Sequence, residues 1–325
     1  MTQKLIASLA PGDNVLSFFM VRKKEIKQQK ISKEVYLSLE LGDCSGRIHG
    51  SLWNDASAIS KTIQVGDVVK VKGKVITFME KNHIAIDKIR KAHPNDNIEM
   101  ESFLPQFPGS IDTLRNNLQQ RLEHVNEPDL KKLVQTFLQD QRFMAQFCKA
   151  PGGKLWHHAY LGGLLEHSFS VMEICRYLCA HYGRSVNADV VTTAAFLHDI
   201  GKIQEFSLNG FIDYSTSGRL LGHVVLGANL VQAKIAELGD FSESLKEQLI
   251  HCLLSHHGQK ERGSPVVPMT LEALILSYAD DLDSSVAAFQ RIMSREKEPG
   301  KIWSNYVNLI DRFIYLGEEE KLDQN

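Results

Sequence analysis

The sequence predicts a chain in two parts, a small N-terminal β-barrel followed by an all-helical domain. Three observations carry this. Residues 14–90 break into five short β-favouring runs set off by the turn signals Gly12-Asp13, Gly42-Asp43 and Gly66-Asp67. From Ile111 onward, apolar residues recur at three- and four-residue steps. Between them, residues 92–110 (AHPNDNIEMESFLPQFPGS) carry three prolines and little periodicity, so they read as a linker. The expected parts are therefore residues 1–91, a linker at 92–110, and a helical domain at 111–325.

The strand runs are Asn14–Val21, Glu34–Leu41, Arg47–Trp53, Val68–Thr77 and His83–Ile89. Five short strands in about 80 residues fit the small barrel known as the OB-fold. Side chains alternate across a strand. In VVKVKGKV, Val69, Val71 and Val75 share one face, and Lys70, Lys72 and Lys74 share the other. In GRIHGSLW, Ile48 and Leu52 oppose Arg47, His49 and Trp53; in EVYLSLEL, the apolar face leaves Tyr36 outside. Lysines that meet phosphates and rings that stack on bases make a single-strand-binding surface. A solvated outer face gives the same alternation.

In the helical part, Leu114, Leu118, Leu122 and Val125 mark the first helix, and Glu127-Pro128-Asp129 opens a second. PGGK at 151–154 interrupts. Further helices are expected over 158–181, 187–199, 222–238, 242–256, 270–290 and 301–315. The tail from Lys301 reads as a packing helix or an assembly surface, which leaves a homo-oligomer open.

Composition narrows the class. The 325 residues are 43% hydrophobic, enough for an ordinary core. No apolar run is long enough to span a membrane, and the first residues lack a signal-peptide pattern. Five cysteines without a CxxC indicate neither a disulfide framework nor a thiolate zinc site. A cytoplasmic protein is the expectation. Residues 1–95 hold 16 Lys and Arg against 9 Asp and Glu, while the whole chain has a net charge of −2. A basic N-terminal part on an acidic chain suits a polyanion partner.

The chemistry gathers on His167, His198-Asp199, His223, His256 and Asp280. Each sits in or beside an apolar helical run, where an ionisable group is costly unless paired or metal-bound. Any one of these histidines alone reads as a core or capping residue; together they agree on one site. Neutral imidazoles with carboxylates suit manganese, iron, cobalt, nickel or zinc. Nothing else competes. There is no GxxxxGK[ST] phosphate loop, and GGLL is too short for a dinucleotide fingerprint. Ser168 and Ser255 lie beside histidines without the rest of a nucleophile site. Cys175 and Cys179, one helical turn apart, read as core.

The pattern of His167, His198-Asp199 and Asp280 resembles the HD-domain metal-dependent phosphohydrolases, over roughly residues 155–290. A barrel followed by HHAYLGGLLEHS, FLHDIGK, GHVVLGA, LLSHHG and EALILSYADDLD is similar to the YhaM-type 3′→5′ exoribonucleases, over nearly the whole chain. The resemblance implies an OB-like domain followed by an all-α HD domain. It also implies a hydrolase that cuts mainly single-stranded RNA, with single-stranded DNA left open, from the 3′ end and releases nucleoside 5′-monophosphates. It implies two divalent cations, manganese first. His167, His198, Asp199 and Asp280 hold one; Asp199 bridges to a second held with His223 and His256, with His257 as the alternative.

Lys202, three residues past Asp199, is the expected phosphate contact in catalysis; a helix-end lysine is the plainer reading. His158, Arg219 and Arg262 are weaker substrate-binding candidates, each with a structural alternative, and Trp156 either stacks on a base or packs. Two other functions stay open. One is an HD phosphohydrolase acting on small nucleotides. The other is a nucleic-acid-binding protein without catalysis.

Overall fold

Strands β1 (Asn14–Gln28), β2 (Val35–Asp43) and β3 (Gly46–Leu52), helix α1 (Ala56–Thr62), and strands β4 (Val68–Phe78) and β5 (Lys81–Lys91) make the N-terminal fold. The strands close into a barrel in the order β1-β2-β3-β5-β4, with β3 and β5 parallel and the other pairs antiparallel. This is the five-stranded OB arrangement. The computed structural model describes residues 4–29, 33–208 and 210–317. The chain divides into two units, Met1–Gln106 with Ser207–Asp213, and Phe107–Phe206 with Tyr214–Asn325.

Period-two alternation fills the barrel with Val15, Phe19, Leu37, Leu39, Leu41, Val69, Val71 and Ile84. Ala56, Ile59 and Ile63 of the α1 segment join that core. Lys24 holds the segment's end by donating from Nζ to the carbonyls of Ser60 (2.8 Å) and Ile63 (2.7 Å). The β4–β5 turn is Met79-Glu80, both in the left-handed region at φ 48° and 62°. That is the twist a two-residue hairpin demands.

Residues 92–106 correct the linker reading. They fold onto the barrel as part of the first unit, where Phe103 and Leu104 are buried. Arg90 donates to both carboxylate oxygens of Asp96 at 2.8 Å, and Arg22 donates to the Phe103 carbonyl at 2.6 Å. Prolines and absent periodicity signal irregular backbone, which is a weaker property than independence.

The second unit is helical. It contains α2 (Ile111–Leu122), α3 (Pro128–Gln139), α4 (Gln141–Lys149), α5 (Gly163–Tyr182), α6 (Ala188–Leu197) and α7 (Lys202–Glu205). The short strands β6 (Phe206–Ser207) and β7 (Asp213–Tyr214) pair with each other. Then come α8 (Thr216–Leu238), α9 (Glu243–Ser255) and α10 (Leu271–Glu296). Side-chain oxygens of Ser110, Asp140, Ser215, Ser242 and Thr270 cap helix N-termini by accepting from backbone amides. One core joins α2 to α6 and α8 to α10 around Leu133, Phe147, Leu165, Phe196, Val231, Leu253 and Leu276. No described helix is long and apolar enough to cross a membrane.

Two expected helices are corrected. The one placed at 158–181 starts at Gly163, after a loop in which His158 takes φ 46°. Residues 301–315 form no helix. They turn back on themselves through bridges Trp303↔Tyr315 and Val307↔Arg312. Ile314 and Leu316 are buried while Phe313 and Tyr315 are exposed. That alternation has the period of a strand, and spacing-by-threes over the same apolar residues misread it.

Candidate metal centre and nucleic-acid interface

The helices bring together every residue singled out as a ligand. His167 stands on α5, His198 and Asp199 follow α6, His223 is on α8, His256 ends α9, and Asp280 is on α10. His167, His198, Asp199, His256 and Asp280 are all buried. Asp199 lies at the centre, and its two oxygens face two different groups. Oδ2 is 3.3 Å from His167 Nε2 and 3.4 Å from His198 Nε2. Asp280 Oδ1 completes that group, 3.0 Å from His167 Nε2 and 3.9 Å from His198 Nε2. Oδ1 of Asp199 faces the other way, 3.4 Å from His223 Nε2 and 3.6 Å from His256 Nε2. His257 belongs to this second group, its Nε2 3.2 Å from that of His223.

Two glycines make the convergence sterically feasible. A Cβ on Gly201 would lie 2.0 Å from the His223 carbonyl oxygen and 2.6 Å from the Gly227 nitrogen. Glycine there lets α8 approach the turn that carries Asp199. Gly222, at φ 72° and ψ 156°, breaks the helical path of α8 one residue before His223. The His223 amide donates instead to Glu205 Oε1 at 3.1 Å.

Each imidazole is held by its other nitrogen. Nδ1 of His167 meets Asp283 Oδ2 at 2.7 Å, and that of His223 meets Glu205 Oε1 at 3.0 Å. Nδ1 of His198 meets the Ala195 carbonyl at 2.9 Å, that of His256 the Leu253 carbonyl at 2.6 Å, and that of His257 the Arg262 carbonyl at 3.1 Å. All five acceptors take a proton from Nδ1, so the five Nε2 atoms are the ones turned to the cluster. This is the outer support that metal-ligating histidines require. Asp283 and Glu205 are buried participants that the sequence reading missed. Asp283 sits one turn past Asp280 on the same helix face, and that spacing was the available signal.

The donor set fits cations. Asp199 Oδ1 and His256 Nε2 are buried without a hydrogen-bond partner among the described residues. Two pairs of Nε2 atoms, His167–His198 and His223–His257, approach to 3.2 Å. Facing lone pairs at that distance need a proton or a metal between them.

The ionisation balance agrees. Burial alone would lower the His167 pKa, but hydrogen bonds to Asp199, Asp280 and Asp283 outweigh it and hold it well above its ordinary value. In the metal-free protein a proton on His167 thus stands where a cation would. Burial opposes charge on Asp199, yet Lys202 and His198 outweigh it and keep the carboxylate ionised. Lys202 Nζ lies 2.5 Å from Asp199 Oδ2. Burial, then the nearby His256 and His223, pushes His257 down to about 3, so it is a neutral donor at ordinary pH.

The weaker substrate candidates are placed differently. His158 is buried between Asp283 and Glu166, 3.9 Å from each. Its half-buried neighbour His157, unremarked in the sequence, also faces the charge of Lys202; burial first, then Lys202, lowers it to about 2. Arg219 lies over the Tyr214 ring at 5.4 Å. Arg262 donates to Asp281 at 2.5 Å. Trp156 is half-buried, and its carbonyl accepts from Arg291 at 3.0 Å.

On the barrel, Tyr36, Arg47, His49, Trp53, Lys70, Lys72 and Lys74 all point away from the core. Tyr36 and Trp53 stack with centroids 4.6 Å apart. They line a groove of about 690 Å³ with Ser38, Ser51, Phe78 and His83. Strand register runs Ser51 beside Ala85 and Ala85 beside Lys74, so the lysine row borders this ledge. Arg47 donates to Glu40 at 2.6 Å, and Lys70 lies 5.0 Å over the Phe18 ring.

Comparison with known proteins gives the following. A family profile described as "HD domain" matches residues 164–285, and one described as "OB-fold nucleic acid binding domain" matches residues 20–92. A 3′-5′ exoribonuclease YhaM of Geobacillus sp. is 30% identical over 281 residues, covering 86% of this chain and 85% of that protein. Another of the same description, from Bacillus velezensis, is 29% identical over 310 residues, covering 94% and 95%. Among solved structures, a domain of replication protein A from Methanococcus maripaludis is 26% identical, covering 28% of this chain and 94% of that domain, with a TM-score of 0.25.

Proposed function

Because the chain belongs to the YhaM-type 3′→5′ exoribonucleases, with an OB barrel ahead of an HD domain, we propose that it shortens single-stranded RNA from the 3′ end. It also takes single-stranded DNA, it releases nucleoside 5′-monophosphates, and its preferred cations are two Mn²⁺. The observation that carries the reading is the bridging position of Asp199, one oxygen toward each histidine group.

His167, His198, Asp199 and Asp280 would hold one cation; Asp199, His223 and His256 would hold the other, with His257 beside them. The pair supplies Lewis-acid activation of water and neutralises charge at a phosphodiester. The protein's own groups do the rest. Asp283 and Glu205 fix the rings of His167 and His223. Lys202 keeps a positive charge at the bridging carboxylate, where negative charge develops on the phosphoryl oxygens. The Tyr36–Trp53 ledge offers a stacking surface that every base satisfies, and Lys70, Lys72 and Lys74 offer backbone contacts without sequence preference.

The test is incubation of the purified protein with 5′-labelled single-stranded RNA, with Mn²⁺ and with chelator. A Mn²⁺-dependent ladder retreating from the 3′ end, with nucleoside 5′-monophosphates as product, is the expected result. Hydrolysis of free nucleotides alone would assign the chain to small-molecule chemistry, and binding without turnover would make it a binding protein.

A further inference from the structure

Helix α10 has two apolar faces, and only one of them has a use within the described chain. Its inner face buries Ala273, Leu276 and Ala279 and carries Asp280 and Asp283 to the metal centre. Its outer face exposes Leu271, Leu274, Tyr278, Leu282, Val286 and Met293, with Tyr278 at 67% and Leu282 at 53%. These residues follow helical spacing over the span 271–293, about 33 Å of helix. Val267 and Met269, just ahead of the helix, are exposed as well.

We infer that this face is the contact between two copies of the chain, paired antiparallel across a two-fold axis at Leu282. Two observations select a second copy. The first is symmetry of spacing. Tyr278 and Val286 stand four residues either side of Leu282, and Leu271 and Met293 stand eleven either side. A two-fold contact requires a surface that matches its own reversal. Within the helix only Leu274, opposite Gln290, departs from the pattern; ahead of it, Val267 and Met269 stand opposite Lys297 and Arg295. The second is area. The eight exposed side chains present on the order of 700 Å² per copy, so their full coverage in a pair would remove at most about 1,400 Å² from water, near the lower end of specific interfaces.

Sedimentation velocity of the full chain across the micromolar range tests this. The expected species is a dimer or an even multiple of it. Leu282→Arg sets two like charges against each other at the axis and should weaken association about a hundredfold, halving the mass at low concentration. The position is exposed, and circular dichroism together with Mn²⁺-dependent RNA cleavage checks that the variant folds. In a second measurement, Leu282→Cys should give a disulfide-linked pair under mild oxidant. Leu220→Cys, more exposed still but on α8, should not. A monomeric wild type overturns the inference. So does a Leu282→Arg variant of unchanged mass, or cross-linking no better at 282 than at 220.

Discussion

Asp199 Oδ1 and His256 Nε2 face each other across 3.6 Å, both buried, and neither is hydrogen-bonded to any described residue. An unsatisfied buried polar atom costs about 1–3 kcal/mol. Two such atoms with His223 Nε2 beside them make a cation site that is costly while it is metal-free. The first group differs, because there the His167 proton relieves the carboxylates. The two halves of the centre should therefore respond differently to metal, pH and mutation.

Replacing the bridge tests both halves together. Asp199→Asn keeps the shape and removes the charge. We expect Mn²⁺-dependent RNA cleavage to fall by about a thousandfold or more, with RNA affinity within about twofold of wild type. Single-turnover cleavage and filter binding measure the two quantities. Retained cleavage would remove Asp199 from the chemistry.

The second group can be dissected at its adjacent histidines. His256→Ala removes the orphaned nitrogen, and we expect about a hundredfold loss in affinity for the cation of this group. His257→Ala, at a less buried position whose Nδ1 bonds to the Arg262 carbonyl, should cost about tenfold. Calorimetric titration of metal into each variant ranks them; the reverse order would make His257 the ligand.

Asp283→Asn keeps an oxygen beside His167 Nδ1 but withdraws the negative charge that raises its basicity. Metal affinity at the first group should fall about 10–100-fold, as for other outer-sphere carboxylates. An unchanged affinity would reduce Asp283 to packing.

The pH dependence has a definite sign. His167 keeps its proton well above pH 6.5 in the metal-free protein and must lose it to bind a cation. Loading therefore releases a proton, and apparent affinity rises with pH until the raised pKa is passed, about tenfold per unit for one proton. Mn²⁺ titration in buffers of different ionisation enthalpy reads the proton count directly. A pH-independent affinity between pH 6 and 7.5 would contradict the protonated state of His167.

On the barrel, Trp53→Ala should weaken single-stranded RNA binding about 5–100-fold through lost stacking, with little change in salt dependence. Exchanging Lys70, Lys72 and Lys74 together for alanine should do the reverse. The slope of log affinity against log salt should shallow by about 2, for three lost phosphate contacts. Identical salt slopes in wild type and triple variant would take the lysine row off the binding path.

The metal ligands were legible because each is an ionisable residue in an apolar helical setting, an expense that only pairing or metal explains. Asp283 and Glu205 were not, because a carboxylate in a helix rich in polar residues looks like a solvated surface group until its partner is known. Gly201 was visible only as a breaker; its purpose, the approach of the His223 carbonyl, depends on a residue more than twenty positions along the chain. The β4–β5 turn was blurred for a local reason. Met79-Glu80 adopts left-handed angles without the glycine or asparagine that announces them, so both strands were read short. The tail beyond Lys301 was misassigned because its apolar residues fit two periods, and only packing of Ile314 and Leu316 selects one.

The central claim is that one carboxylate joins two cation sites, and counting bound metal tests it most directly. After equilibrium dialysis against Mn²⁺, elemental analysis should find two ions per wild-type chain and one or fewer in Asp199→Ala. A wild type holding none, or an Asp199→Ala variant still holding two, would contradict it.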